Sequence, residues 1–213
     1  MVKPGMYISD DRYEIIEIGR KLYEKDLTFA TSGNISVKTD RGIFITASGT
    51  ALGNLKDADL VLIDFEGNEL SGGKASSEKM LHVAIYNLRP DVKAIIHTHP
   101  VNLTSFAVCH EPLKEPIMSE NILYFEDIPV ADYAMPSSME LVEKTVQHLN
   151  NRDVVMMANH GAVAIADNLE HAFQKMETAE YYAKVTLNTR ILGNPKNLSE
   201  KDVQDLINLK NSK

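Results

Sequence analysis

Val92-Lys93-Ala94-Ile95-Ile96-His97-Thr98-His99-Pro100 reads as a strand: an apolar run, β-branched at its centre and closed by a proline. Strand side chains alternate between faces, so His97 and His99 point to the same side. Two imidazoles on one face of a buried strand make a poor core. They make a good pair of metal ligands, about one strand repeat apart. Taken alone, the pair fits ordinary hydrogen-bonded histidines equally well, and the decision rests on the rest of the chain.

Downstream, Val154-Val155-Met156-Met157-Ala158-Asn159-His160-Gly161-Ala162-Val163-Ala164-Ile165 reads as two buried strand segments meeting at a glycine. A histidine inside such an apolar run is costly unless it is paired or bound, so His160 is either a satisfied core histidine or a ligand. Upstream, Ser76-Ser77-Glu78 opens a helix with Leu81, Ala84, Ile85 and Leu88 at helical spacing, ended by Arg89-Pro90. A serine N-cap with an acid in the first turn explains these residues structurally. The same helix start, carrying two hydroxyls, is equally a ready anion site. Two further turns, Thr31-Ser32-Gly33-Asn34 and Ala47-Ser48-Gly49-Thr50, flank short strands at Ile35–Val37 and Ile43–Thr46, joined by a hairpin at Asp40-Arg41-Gly42. Such turns expose backbone N–H groups and hydroxyls that suit a phosphate, though most Ser-Gly turns are only turns.

The remaining elements are structural in this reading. A helix runs near Asp10 to Lys25, capped by Ser9 or Asp10, and Leu60 to Asp64 is a buried strand. Val101 to Glu120 has mixed patterning. Ile122–Phe125 and Ile128–Val130 look like short strands. Ser137 and Glu140 match a capping box for a helix through Leu149. A long helix spans Leu169 to Leu192, with Leu187 and Ile191 on its apolar face, and stops at Gly193. The tail from Leu198 to Lys213 is charged and reads as a short, mobile helix. His82, His110, His148 and His171 receive no chemical role.

At 213 residues the chain suits one domain with a sizeable core. A net charge of −8 argues against a nucleic-acid partner, while leaving room for a small anionic substrate in a local pocket. A lone cysteine, Cys109, fits a reducing cytoplasm. Met1 to Met6 lack the apolar core of a signal peptide, and no run is long enough for a membrane span.

Glu78, His97, His99 and His160 together can fill a tetrahedral zinc shell. With one cysteine in the chain, a histidine-rich site with a displaceable carboxylate points to catalysis rather than to a structural zinc. The chain resembles the class II aldolase/adducin-head family, and within it the fuculose-1-phosphate aldolase branch. The carriers are Thr31-Ser32-Gly33-Asn34-Ile35-Ser36, Ile45-Thr46-Ala47-Ser48-Gly49, Ser76-Ser77-Glu78 with His82 four residues on, Arg89-Pro90-Asp91, His97-Thr98-His99 and Asn159-His160-Gly161. Each block is modest; all of them in this order, over about residues 10 to 192, are highly specific.

The resemblance implies a three-layer α/β/α fold with a mainly antiparallel central sheet, and a homotetramer with active sites at subunit interfaces. It implies that His97, His99, His160 and Glu78 hold one Zn2+ per subunit, that Glu78 then acts as acid and base, and that Gly33, Asn34, Ser48, Gly49, Ser76 and Ser77 bind a substrate phosphate. The implied reaction is metal-dependent cleavage of a phosphorylated sugar, a ketose 1-phosphate, to dihydroxyacetone phosphate and a short aldehyde. L-fuculose 1-phosphate leads, giving L-lactaldehyde, with ribulose 1-phosphate or a 5-deoxy or methylthio analogue close behind. The related 4-epimerases carry Asp where this chain has Glu78, a related methylthioribulose-phosphate dehydratase shares the histidines and the glutamate, and a non-enzymatic adducin-like head would lack the histidines. The chain also departs from the aldolase pattern. Met118 stands where an ungapped match expects a tyrosine, Tyr124 aligns only with a gap, and the tail from Leu198 to Lys213 has no tyrosine.

Overall fold

The computed structural model describes residues 10–71 and 73–212. Met1 to Met6, the candidate cap Ser9 and Lys213 lie outside the described residues. In chain order the elements are α1 (Asp10–Glu24), β1 (Asn34–Thr39), β2 (Gly42–Thr46), β3 (Leu60–Ile63), α2 (Lys79–Leu88), β4 (Ala94–Thr98), α3 (Val101–Val108), α4 (Ser119–Tyr124), β5 (Val130–Ala131), α5 (Met139–Val146), β6 (Val154–Met157), β7 (Gly161–Ala166), α6 (Leu169–Leu192) and α7 (Glu200–Asn211).

The strands form one seven-stranded sheet in the order β3-β2-β1-β4-β7-β6-β5. Every pairing is antiparallel except β5 with β6. Period-2 alternation sorts the strand side chains into two cores. Ala94 and Ile96 face one core, with Ile15 and Leu22 of α1, Phe106 of α3, and Phe173 and Met176 of α6. Ile95 faces the other, with Leu81 and Ile85 of α2 and Leu141 and Val142 of α5. The fold is therefore a three-layer α/β/α arrangement, as expected. Ile95 and Ile96 are fully buried, and each such side chain stabilises the fold by roughly 1.5–3 kcal/mol.

The centre of the sheet positions the site. Asn34 pairs with His97, and Thr98 pairs with Ala162. The start of β1, the end of β4 and the start of β7 therefore meet at one edge, and the turn after β2 joins them because Ala47 bridges to Ala75 just before α2.

Several local expectations need correction. Ile122–Phe125 is not a strand: Ser119–Tyr124 is helical, with the Asn121 side chain accepting the Met118 N–H at 2.9 Å. A four-residue apolar run carries no period that separates helix from strand. Of the expected strand at 128–130 only Val130 joins the sheet, through β5; Pro129 lacks an N–H, and Ile128 bridges to Leu113 instead. The cap of α5 is Ser138, which accepts from the Leu141 N–H, so no box forms from Ser137 to Glu140. Ser137 instead takes a left-handed conformation and donates its hydroxyl to Ser77. Core packing of α6 ends at Thr186; Ile191 is 75% exposed. The tail does form the expected short helix, α7, capped by Ser199 and lying beside α4, with the Leu198 N–H on the Pro116 carbonyl. No described helix is long and apolar enough to cross a membrane.

Candidate metal centre

His97 lies on β4, on the face shared with Ile95, and is buried beneath the start of α2. Its Nδ1–H donates to the Ala162 carbonyl at 3.0 Å, which leaves Nε2 directed into the site. His99 follows two residues on, beyond the end of the strand. His160 sits in the turn between β6 and β7, where Asn159 takes a left-handed conformation (φ 55°) that asparagine tolerates. Gly161 is required by close approach, because a Cβ there would lie 2.3 Å from His99 Cδ2. Gly33 combines φ 82° with a Cβ position 2.7 Å from the His97 carbonyl oxygen.

The three expected ligands converge. One nitrogen from each of His97, His99 and His160 lies within 4.8 Å of the others. Glu78 Oε2 stands 3.2 Å from His97 Nε2, and its Oε1 stands 3.6 Å from His160 Nε2. Helix α2 begins after Glu78, at Lys79, so Glu78 rather than a serine occupies the cap position. Its carboxylate turns away from the helix into the histidines.

The donor set fits a divalent cation. Glu78 Oε1, His97 Nε2, both ring nitrogens of His99 and Nδ1 of His160 are buried without a hydrogen-bond partner. The contact between His97 Nε2 and Glu78 is close enough for ion pairing but is not aligned as a hydrogen bond. A cluster of orphaned buried donors and acceptors in one place is what an ion satisfies.

Electrostatics sharpen the picture. Burial opposes ionisation of Glu78, but the charge of His97 at 3.2 Å, with that of His160 and the hydrogen bond from Asn34, holds it well below the usual carboxylate range. Burial pushes His97 down, and Glu78 with the Ala162 carbonyl more than reverses this, so its pKa is raised. Burial, then the neighbouring His97 charge, push His99 down to about 3 and His160 to about 4. Burial likewise pushes His82 down to about 3.

In the metal-free protein His82, His99 and His160 thus stay neutral when folded and bind protons near pH 6.5 when unfolded. Each then removes up to about 1.4 kcal/mol of stability per pH unit as the pH falls below that value. His97 acts oppositely: its raised pKa contributes stability fully present below about 6.5 and lost as pH rises through its folded value. Glu78, with a lowered pKa, contributes above about 4.5 and is lost only as pH falls through its folded value. Three histidines outweigh one, so the urea midpoint of the metal-free protein is expected to be lower at pH 5 than at pH 7. An equal or higher midpoint at pH 5 contradicts these assignments.

The expected phosphate residues gather at the same edge in different states. Ser48, Gly49 and Ser77 are exposed, and Gly33 is half-buried. The Ser48 N–H is taken by the Lys74 carbonyl, and Ser76 Oγ accepts from the Glu78 N–H at 3.3 Å. The Asn34 side chain is committed elsewhere: it donates to Glu78 Oε2 at 2.9 Å.

Three features escaped sequence reading. His82, to which sequence reading assigns no chemical role, is joined to Asn34 across the layers. His110, likewise without an expected role, meets Asn159 Oδ1 at 2.7 Å beside His160. A cavity of about 680 Å3 opens onto His99 and His160, walled by Phe29, Val101, Val108 and Ser32. All three join residues 48 or more apart or the walls of separate elements, and only the His82 spacing from Glu78 offered a local signal.

This fold and this cluster of imidazoles define a class. The family model described as Class II Aldolase and Adducin N-terminal domain matches residues 13–187, and the chain belongs to that family. Within it, the chain is 37% identical over 177 residues to the L-fuculose phosphate aldolase of Methanocaldococcus jannaschii, covering 83% of this chain and 96% of the relative. It is 31% identical over 202 residues to the 3-oxo-tetronate 4-phosphate decarboxylase of Haemophilus influenzae, covering 91% of this chain and 94% of that one. It is also similar to a solved L-fuculose 1-phosphate aldolase structure, with a TM-score of 0.87 at 35% identity over 96% of this chain and 97% of the other.

Proposed function

We propose that the protein is a zinc-dependent aldolase that reversibly cleaves a ketose 1-phosphate, L-fuculose 1-phosphate in the first instance, to dihydroxyacetone phosphate and a short aldehyde. The observation that carries this reading is the Glu78 carboxylate, buried and 3.2 Å and 3.6 Å from two of three histidines whose free nitrogens converge. His97, His99 and His160 hold the cation, and nitrogen donors suit zinc. When bound, the metal supplies positive charge to stabilise the electrons released by breaking the sugar carbon–carbon bond, so no lysine Schiff base is needed.

The chain's own groups do the rest. Glu78 is kept ionised by its neighbours; in cleavage it takes the hydroxyl proton lost as the aldehyde forms and passes it to the three-carbon half, and condensation runs these two transfers in reverse. Gly33, Ser48, Gly49, Ser76 and Ser77 make up the proposed phosphate site, bordered by Asn34, whose side chain serves Glu78, with the exposed turns at Ser48–Gly49 and Ser77 as its accessible part. Phosphate binding far from the reacting carbons orients the substrate. The cavity walled by Phe29, Val101 and Val108 suits a short aldehyde with an apolar end. In this proposal the chain folds as one domain and assembles as a cytoplasmic homotetramer, without a membrane or nucleic-acid partner.

Decarboxylation is a second reading, favoured by the Haemophilus influenzae relative. Loss of CO2 from a 3-oxo-tetronate 4-phosphate and retro-aldol cleavage of a ketose 1-phosphate leave the same carbanion, that of dihydroxyacetone phosphate. The two reactions differ in the co-product. Incubation with L-fuculose 1-phosphate, ribulose 1-phosphate, a 5-deoxypentulose 1-phosphate and a 3-oxo-tetronate 4-phosphate is expected to release dihydroxyacetone phosphate with an equimolar aldehyde, fastest from a ketose 1-phosphate. CO2 release from the acid, with no aldehyde from any sugar, overturns the aldolase reading.

A further inference from the structure

Beneath the metal centre lies a titratable side chain that the proposed chemistry does not use. His82 is fully buried, one helical turn after Glu78 on α2. Its Nε2 is 2.5 Å from Asn34 Oδ1, and its Nδ1 is 2.6 Å from Ser36 Oγ. Asn34 donates through Nδ2 to Glu78 Oε2 at 2.9 Å, and Ser36 Oγ is 2.8 Å from the Tyr86 hydroxyl.

The geometry follows from two periodicities. Residues 34 and 36 share a face of β1 and stand about 6.7 Å apart along the strand. Residues 78 and 82 share a face of α2 and stand about 6 Å apart along the helix. The two pairs therefore meet in register.

Chemistry fixes the direction of each bond. An ionised carboxylate only accepts, so Asn34 presents its NH2 group to Glu78 and its carbonyl to His82. A carbonyl only accepts, so His82 Nε2 carries the proton. Nδ1 of the neutral ring then accepts from the Ser36 hydroxyl, whose oxygen accepts from Tyr86. One ring tautomer satisfies every member of this series, and it leaves the Asn34 amide with one orientation. A buried imidazole kept only for its volume would not need such a series, because an apolar side chain fills space without desolvating a polar one.

We propose that His82 is a positioning residue: acting through Asn34, it holds the Glu78 carboxylate in the orientation that faces His97 and His160. The proposal rests on the assignment of Glu78 to the metal and to proton transfer, and it gives the Asn34 side chain a role at the carboxylate.

The test is Zn2+ affinity of the full-length protein, measured by competition with a chromophoric chelator. The variants are His82→Leu, His82→Gln, Asn34→Ala, Glu78→Ala and the double variant His82→Leu/Glu78→Ala. His82→Leu and Asn34→Ala are each expected to weaken binding by about tenfold, the usual effect of losing a partner behind a metal ligand. His82→Gln offers an amide N–H where the ring Nε2–H stood, and is expected to recover most of that loss. In the Glu78→Ala background, His82→Leu is expected to cost nothing further, because its effect runs through the missing carboxylate. With substrate, His82→Leu should lower kcat while KM stays within about twofold.

Wild-type affinity in folded His82→Leu, or an undiminished loss in the Glu78→Ala background, overturns the proposal. Circular dichroism establishes folding, and Asn34→Ala with His82→Gln carries the same test if His82→Leu does not fold. Metal affinity needs no substrate, so inactivity of the wild-type protein toward every sugar phosphate would sink the proposed function and leave this test standing.

Discussion

Glu78→Gln is expected to lower kcat by roughly 10²- to 10⁴-fold, the range that a positioned acid or base contributes, while substrate KM changes little. The replacement keeps the side chain's shape and leaves the three imidazoles in place. It removes the charge that His97, His160 and Asn34 hold on this carboxyl and the ability to carry a proton between substrate carbons. The variant should therefore still fold and still bind metal, more weakly by the loss of one carboxylate. Metal analysis alongside steady-state kinetics separates the two effects. A metal-loaded Glu78→Gln protein with kcat within a few-fold of wild type would remove Glu78 from the chemistry.

His160→Ala is expected to abolish turnover, by on the order of a thousandfold or more, because the metal's several kcal/mol of charge stabilisation is lost with its binding. His160 is the informative ligand to replace. It sits in the turn between β6 and β7 at the rim of the cavity, so its removal should spare the sheet. His97, by contrast, is buried in the sheet and hydrogen-bonded to β7, so its removal would mix a folding defect with a binding defect. Equilibrium dialysis of His160→Ala against Zn2+ should show a large loss of affinity with an unchanged circular dichroism spectrum. Retained turnover without retained metal would break the link between the histidines and the reaction.

What could be read from the sequence was whatever is written in local periodicity. The alternation through Ile95, Ile96 and His97 fixed the central strand and the common side of His97 and His99. The apolar stripe of α6 fixed the long helix to within its exposed last turns. Short apolar runs were ambiguous, which is why α4 looked like a strand and α3 had no clear pattern. Contacts across layers left almost no local trace. Asn34 looked like one member of a phosphate turn, yet its side chain serves Glu78, 44 residues away. His110 looked isolated, yet it braces Asn159, 49 residues on. Ser76 and Ser77 looked like the cap of α2, yet Glu78 takes that position, with its carboxylate among the imidazoles rather than on the helix N–H groups.

The most direct measurement is a titration of metal-free protein with Zn2+ while release of dihydroxyacetone phosphate from L-fuculose 1-phosphate is followed by a coupled assay. No release without metal is expected, followed by a linear rise that breaks at one equivalent per chain. Undiminished release from the metal-free protein, or none from any ketose 1-phosphate once the metal is bound, would contradict a metal-dependent aldolase built on Glu78, His97, His99 and His160.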